Sequence, residues 1–313
     1  MDLHEKTVQI QQWAHELGLQ GCGIASAAPL PDAAAHLETW LQRGWQAGMS
    51  YMSRHTDLRA DISRIVPGAR SVISVCCNYR PAGQQPPDAP IIAGYAFGED
   101  YHRVVKDKLY QLKAKMETAW GAFNARIFVD SAPVFEKIWA ARCGLGWIGR
   151  NRLLVTPVYG TYVFLGELVC DLILDPTATG DGSETVPGAH CGACRRCIEA
   201  CPAGALSDDG LDARRCLSYL TIEHRGELHV PLHNHLFGCD CCQTVCPHNA
   251  HTPASEEPRF ACKENMMNMT AAEWQRMEQP EFDAVWHHTP LNRAGMEQIK
   301  RNLQQCLSED NGR

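Results

Sequence analysis

The sequence predicts an α+β fold in two parts: an N-terminal α+β domain over residues 1–175, then a ferredoxin-like module with two [4Fe–4S] clusters over 176–262. A short helical segment, 263–313, completes the chain. Three observations carry this reading. Apolar residues recur at both helical and strand spacing through the first half. A stretch rich in Pro, Thr, Gly and Asp at 176–189 divides that half from the remainder of the chain. Beyond it, two dense motifs hold eight of the sixteen cysteines.

Near the N-terminus, residues 5–20 carry a helical pattern with Val8, Trp13 and Leu17 as its apolar stripe, weakened at its end by Gly18 and Gly21. Residues 22–28 read as a short strand. In 33–45, Ala33, Leu37, Trp40 and Leu41 share one helical side. Pro67-Gly68 breaks the chain before the strand-like run 71–77, and a Pro, Gly and Gln-rich loop occupies 81–89. The clearest helix is 101–118, where Val105, Leu109, Leu112 and Met116 form a core-facing stripe. Its Arg103, Lys106, Lys108, Lys113 and Lys115 lie off that stripe, as a solvated face or as a patch for a phosphate backbone. A strand at 126–129 delivers Asp130, a helix at 134–142 leads into a glycine-rich turn at 144–149, and 162–169 is a further buried strand. After Pro247 the chain becomes polar, with helical patterns at 270–276 and 294–306.

Composition narrows the class. The 313 residues are 45% hydrophobic and 21% charged, the balance of a globular chain. Lys+Arg number 29 against 36 Asp+Glu, a formal charge of -7, so contact with a polyanion needs a local basic patch. No apolar run approaches the ~18 residues of a membrane span, and the N-terminus reads as no secretory leader. The expected location is cytoplasmic, without a membrane. There, clustered cysteines point to metal rather than disulfides.

The first motif, Cys191-Gly-Ala-Cys194-Arg-Arg-Cys197-Ile-Glu-Ala-Cys201-Pro202, has the bacterial ferredoxin spacing in which the fourth cysteine serves the other cluster. The second, Cys239-Asp-Cys-Cys242-Gln-Thr-Val-Cys246-Pro247, is one ligand short, and Cys216 between the motifs fills the vacancy. Cluster 1 therefore takes Cys191, Cys194, Cys197 and Cys246; cluster 2 takes Cys201, Cys216, Cys239 and Cys242. Cys241 competes with Cys242 or Cys239, although the shared C-x3-C-P spacing favours Cys242. Zinc does not need this interleaving. Cys22, Cys76, Cys77, Cys143, Cys170, Cys262 and Cys306 lack cluster spacing and read as buried or incidental thiols.

Upstream, no phosphate loop is present. Gly144, Gly146 and Gly149 match G-x-G-x-x-G but come after a helical segment, so a tight turn is expected. Asp130, at a strand end before Ser131-Ala132-Pro133, reads either as a turn or helix cap or as a proton-transfer group. In a closed apolar pocket its pKa would rise. Glu136 reads as a cap partner or pocket residue.

Several blocks together resemble the epoxyqueuosine reductases: Tyr95-Ala-Phe-Gly-Glu-Asp-Tyr-His102, Val129-Asp-Ser-Ala-Pro133, Gly144-Leu-Gly-Trp-Ile-Gly-Arg-Asn151, the run 211–223 and the run 238–247. The resemblance spans roughly residues 15–250 and implies reduction of the epoxide of epoxyqueuosine to queuosine at the wobble position of tRNA. It implies a reductive-dehalogenase-like cobalamin-binding domain ahead of the two-cluster domain, with Asp130 as proton donor. Arg54, Gly98, Asp130, Asn151, Thr156, Ser218 and Asp240 are the implied cobalamin neighbours. No D-x-H-x-x-G box is present, and Asp100-Tyr101-His102 does not fit one, so a histidine-ligated cobalt is not expected. Lys137, Arg142, Arg150, Arg214, Arg215 and Arg225 are the RNA-contact candidates. Gly149-Arg150-Asn151 departs from the common Gly-Lys-Asn, Cys241 is unusual in its motif, and the helical-repeat extension of longer members is not expected here. Expected partners are the tRNA and an external electron donor, with a monomeric chain. The competing readings are a related cobalamin and iron–sulfur reductase of a small molecule, and a non-catalytic electron-transfer protein.

Overall fold

A computed structural model describes residues 1–178, 182–263 and 265–310. The first half is built on four antiparallel strands, β1 (Gly21–Ser26), β2 (Ser71–Asn78), β3 (Ala125–Phe128) and β4 (Val163–Cys170), in the order β1-β2-β4-β3. Every residue of β2 is buried, because both faces of this central strand are covered.

On one face lie α1 (Leu3–Glu16) and α3 (Tyr101–Trp120). Ile73, Val75 and Cys77 of β2 and Leu168 and Cys170 of β4 meet Ile10 and Ala14 of α1 and the α3 stripe Val105, Leu109, Leu112 and Met116. All four stripe residues are fully buried, as their spacing predicts, each stabilising the fold by about 1.5–3 kcal/mol. The charges off that stripe are largely tied down. Lys108 pairs with Glu257, Lys113 with Glu117, Lys115 with Glu16 and Arg103 with Glu99. The stripe expected on α1 is corrected at Val8, which is exposed. Trp13 and Leu17 pack partly buried against this core, beside Thr7, Ile10 and Ala14, which form the buried side. An Asp2–Glu5 capping box starts α1, and Gly18 in a left-handed conformation lies just past its end.

Against the other face packs α4 (Glu136–Arg142), whose Trp139 joins Val72, Phe128 and Val169. The approach is close: a Cβ on Gly23 of β1 would sit 2.0 Å from the Cys143 carbonyl oxygen. The glycine-rich turn after α4 forms a small hairpin, with Trp147–Ile148 paired to Leu154–Val155. The helix α2 (Pro31–Gln42) places Trp40 Nε1 on the Leu211 carbonyl at 2.7 Å, tying the first half to the cysteine module.

The two halves are further interleaved. Ile91–Ile92 runs parallel to His235–Phe237. The C-terminal segment is not a polar tail: α6 (Ala271–Arg276), α7 (Gln279–Trp286) and α8 (Gly295–Asp310) bring Trp274, Phe282, Trp286, Ile299 and Leu303 into a second core with Ile92, Phe97, Leu236 and Phe237. In the cysteine module, α5 (Leu217–Ile222) begins directly after Cys216. Among the described residues, no helix is long and apolar enough to cross a membrane.

Candidate active site and cysteine-lined cluster sites

Asp130 ends the β3 segment in a left-handed turn, φ +57°. Its backbone N–H donates to the Glu136 carboxyl at the start of α4. The turn directs the Asp130 carboxyl toward the start of α3. There Tyr101 Oη donates to Oδ2 at 2.8 Å, and His102 Nε2 lies 3.2 Å from the same oxygen. His102 Nδ1 meets Asp100 Oδ1 at 2.7 Å. The Tyr101 ring is stacked between His102 and Phe164, with centroids 4.2 Å and 4.3 Å away. Packing therefore fixes the tyrosine whose hydroxyl fixes the aspartate.

The electrostatics reverse one expectation. Asp130 is not closed off: half of its side chain, 49%, is exposed. Its carboxyl is held below the usual range, first by the hydrogen bond from His102 and against a smaller opposing effect of burial. Burial disfavours charge on His102, but Asp100 and Asp130 outweigh it and raise the imidazole to about 9. At neutral pH the proton of this dyad therefore sits on His102. Both ring nitrogens face carboxylates, so His102 has no nitrogen to spare for a metal.

Tyr51, Tyr95, Glu223 and Arg293 complete the surroundings. The Arg293 charge acts on Asp130, Tyr95 and Tyr51, and its guanidinium pairs with Glu223 at 2.5 Å. Sequence reasoning misses this group. Tyr101 and His102 lie inside a block that supplies only Gly98 as a site residue, and Arg293 lies in the C-terminal segment that reads as polar and helical, with no site residue expected there.

The cysteines gather in two sets. Cys191, Cys194, Cys197 and Cys246 line one pocket, together with Asn151 and His248. Cys201, Cys216 and Cys242 lie within electrostatic reach of one another, and Cys239 adjoins Cys242. The Ala205 N–H donates to Cys201 Sγ at 3.2 Å. Cys241 Sγ instead faces His235 Nε2 at 3.4 Å. His235, Cys239 and Cys241 form a compact donor group.

The other predicted site residues divide by geometry. Asp240 accepts from Gly94 N–H at 2.7 Å and from Gln243 Nε2 at 2.8 Å. Its neighbour Tyr95 feels both Asp240 and Asp130. Gly98 is explained by packing, since a Cβ there would lie 2.5 Å from Phe260 Cα. Thr156 is buried and braces a turn through the Tyr159 N–H and the Gly160 carbonyl. Asn151 is buried, and its Nδ2 has no partner among the described residues. Arg54 is exposed, and Ser218 is half-buried beside Cys216.

Most of the RNA-contact candidates have partners within the chain. Lys137 Nζ donates to Arg152 O at 2.7 Å, Arg150 pairs with Asp208, Arg214 grips Asp212, and Arg225 donates to the Ala294 carbonyl. Arg142 lies over the Trp139 ring, and Arg215 is exposed.

Residues 59–131 match the family model described as Epoxyqueuosine reductase QueG, DUF1730, and residues 190–249 match a 4Fe-4S double cluster binding domain. An epoxyqueuosine reductase of Leadbetterella byssophila is 39% identical over 96% of this chain and 98% of its own length. One from Pseudomonas aeruginosa is 40% identical over 94% and 82%. Among solved structures, an epoxyqueuosine reductase with an epoxyqueuosine-modified tRNA-Tyr stem loop superposes with a TM-score of 0.88 at 25% identity, covering 98% of this chain and 82% of that one. The enzyme from Streptococcus thermophilus gives 0.82 at 26%, covering 96% and 80%.

Proposed function

The chain belongs to the epoxyqueuosine reductase family, an oxidoreductase with a 4Fe-4S double cluster domain, and from that premise we propose that it reduces epoxyqueuosine to queuosine in tRNA, with Asp130 as the proton-transfer group. One observation carries the reading. The same chain sets an Asp100–His102–Asp130 hydrogen-bonded line at an open site and gathers two four-cysteine sets in its second half.

The reaction removes the epoxide oxygen as water and leaves an alkene, so each turnover consumes two electrons and two protons. Cys191, Cys194, Cys197 and Cys246 would hold cluster 1, and Cys201, Cys216, Cys239 and Cys242 would hold cluster 2. Bound there, the clusters would supply one-electron chemistry from an external donor. Cobalamin, when bound, supplies low-valent metal chemistry at the epoxide. Arg54, Gly98, Asn151, Thr156, Ser218 and Asp240 would surround it, and the unpartnered Asn151 Nδ2 suits a cofactor rich in amide and phosphate acceptors.

The chain's own residues handle the protons. The half-exposed Asp130 receives a proton at Oδ2 from His102 Nε2, while Asp100 retains His102 in the correct orientation. Tyr101 keeps the accepting oxygen in place. A tRNA anticodon stem loop is the natural carrier of the substrate, with Arg142 and Arg215 as the cations most available to its phosphates. The division into 1–175, 176–262 and 263–313 is kept as a functional one: catalytic domain, cluster domain and a helical segment that supplies Arg293.

The test is direct. Protein loaded with both clusters and cobalamin is incubated with a low-potential reductant and epoxyqueuosine-containing tRNA, and the digested nucleosides are weighed by mass spectrometry. Loss of one oxygen mass, giving queuosine, is expected. Fully loaded protein that leaves the epoxide intact would overturn the reading.

A further inference from the structure

Behind the Asp130 turn lie two carboxyl groups that the proposed chemistry leaves unused. Glu167 occupies the middle of β4, opposite Ser74 of β2 and Phe128 of β3, with no exposed surface. Ser74 Oγ donates to Glu167 Oε1 at 3.1 Å, while Oε2 is buried with no donor among the described residues. After burial, the Glu136 carboxyl is the strongest influence on Glu167. Two neighbouring carboxylates carry no donor between them, whereas a carboxylic acid at Glu167 gives its unpartnered buried oxygen a proton to donate.

Cations act on Glu136, but among the described residues none forms an ion pair with it or with Glu167. Lys137 and His102 face Glu136, but Lys137 Nζ is committed to the Arg152 carbonyl and His102 to Asp100 and Asp130. Arg59 and Tyr101 also feel Glu136, and Cys143 feels Glu167. Burial, then the Asp130 charge, raises the Glu136 carboxyl to about 7. Burial, then Glu136 itself, raises Glu167 well above the usual range. Glu136 also accepts the Asp130 N–H, and Asp130 is a non-glycine residue at φ +57°, a conformation that persists only where its surroundings impose it.

We propose that Glu136 and Glu167 form a one-proton latch: the Glu167 carboxylic acid donates to the Glu136 carboxylate, and Glu136 holds Asp130 in its left-handed turn. Both are positioning residues, acting through Asp130. The effect of the latch on turnover rests on the function proposed above; its existence does not.

The experiment has three readouts on the full, cluster-loaded chain. Infrared spectroscopy at neutral pH is expected to show the C=O stretch of a buried carboxylic acid in the native protein and in Asp130→Asn, and to lose it in Glu167→Gln. Hydrogen–deuterium exchange of segment 126–136 is expected to quicken about tenfold or more in Glu136→Ala and Glu167→Ala. Glu167→Gln, whose amide donates permanently to Glu136, is expected to exchange at the native rate. Turnover is expected to fall about tenfold in the two alanine variants with KM for tRNA unchanged, and to return within about twofold in Glu167→Gln. A native protein without the acid band, or Glu167→Gln exchanging as fast as Glu167→Ala, would overturn the latch. The band and exchange pattern in a protein that does not turn over would support the latch and overturn the function.

Discussion

At the scale of single residues, Asp130 and His102 divide the work that one protonated aspartate would otherwise do. An aspartate paired with an imidazolium is a poor proton store, yet it is well placed to pass on a proton that its partner holds. Asp130→Asn should therefore keep iron and cobalamin content and lose turnover by about 10²-fold or more, because the amide cannot relay a proton. Loss of the cofactors instead would assign Asp130 a structural role. The same pair sets the pH dependence of folding. His102 is raised, so its contribution is complete below the unfolded imidazole value and is lost as pH rises through about 9. Asp130 is depressed, so its contribution is present above the unfolded carboxyl value and is lost as pH falls through the folded one. The urea midpoint of His102→Gln should lie below that of the native protein at neutral pH, and the two should converge above pH 9. A constant gap across that range would mean that the histidine acts through packing alone.

At the scale of elements, legibility depends on whether the information is local. The α3 stripe and the buried β2 run are readable because each repeats its pattern over several residues. The stripe expected on α1 fails only at Val8, five residues from Trp13, whereas Trp13 and Leu17, four apart, pack against the core beside Ile10 and Ala14. The cysteine spacing is readable because its loops are short. The convergence of Arg293 and Glu223 on Asp130 is not readable, because it depends on α8 docking against α5. That docking is made of hydrogen bonds between distant segments. Asn302 Nδ2, fully buried on α8, donates to the Thr221 and Leu236 carbonyls at 2.9 Å each, and Arg301 donates to the carbonyls of Leu220, His224 and Gly226. Of these, the Leu220 and Thr221 carbonyls are ones that the short helix α5 leaves open at its end. Asn302→Ala removes the donor to the Leu236 carbonyl, while the Thr221 carbonyl keeps Gln298 Nε2 at 2.8 Å, and should cost about 1–3 kcal/mol, read as a lower urea midpoint. An unchanged midpoint would mean that another donor reaches the Leu236 carbonyl when Asn302 is gone.

At the scale of the whole molecule, the cluster module is woven into the catalytic half. Tyr79 of the first half donates to Gln243 Oε1 at 3.1 Å, Thr161 donates to the same oxygen at 2.9 Å, and Asn249 bridges Thr161 and the Gln243 carbonyl. Gln243 also holds Asp240, which in turn holds Gly94. The loop that carries Cys239 and Cys242 is thus fixed by residues on both sides. Cys241 differs from its neighbours in its partner. His235 Nδ1 lies 2.9 Å from the Leu232 carbonyl and 3.0 Å from the His233 carbonyl, and Nε2 faces Cys241 Sγ at 3.4 Å, where hydrogen bonds with Cys239 and His235 hold the Cys241 thiol below its usual range. The shared C-x3-C-P spacing favours Cys242 as the ligand, with Cys241 kept on His235. Cys241→Ser should therefore retain about eight irons per chain, as two four-iron clusters require, whereas Cys216→Ser should fall toward about four. Iron assay with electron paramagnetic resonance of the reduced protein distinguishes the two, since one cluster signal should persist in Cys216→Ser and both in Cys241→Ser. If Cys241→Ser is the variant that loses a cluster, the histidine contact is a feature of the metal-free loop, and Cys241 displaces one of its neighbours when iron binds.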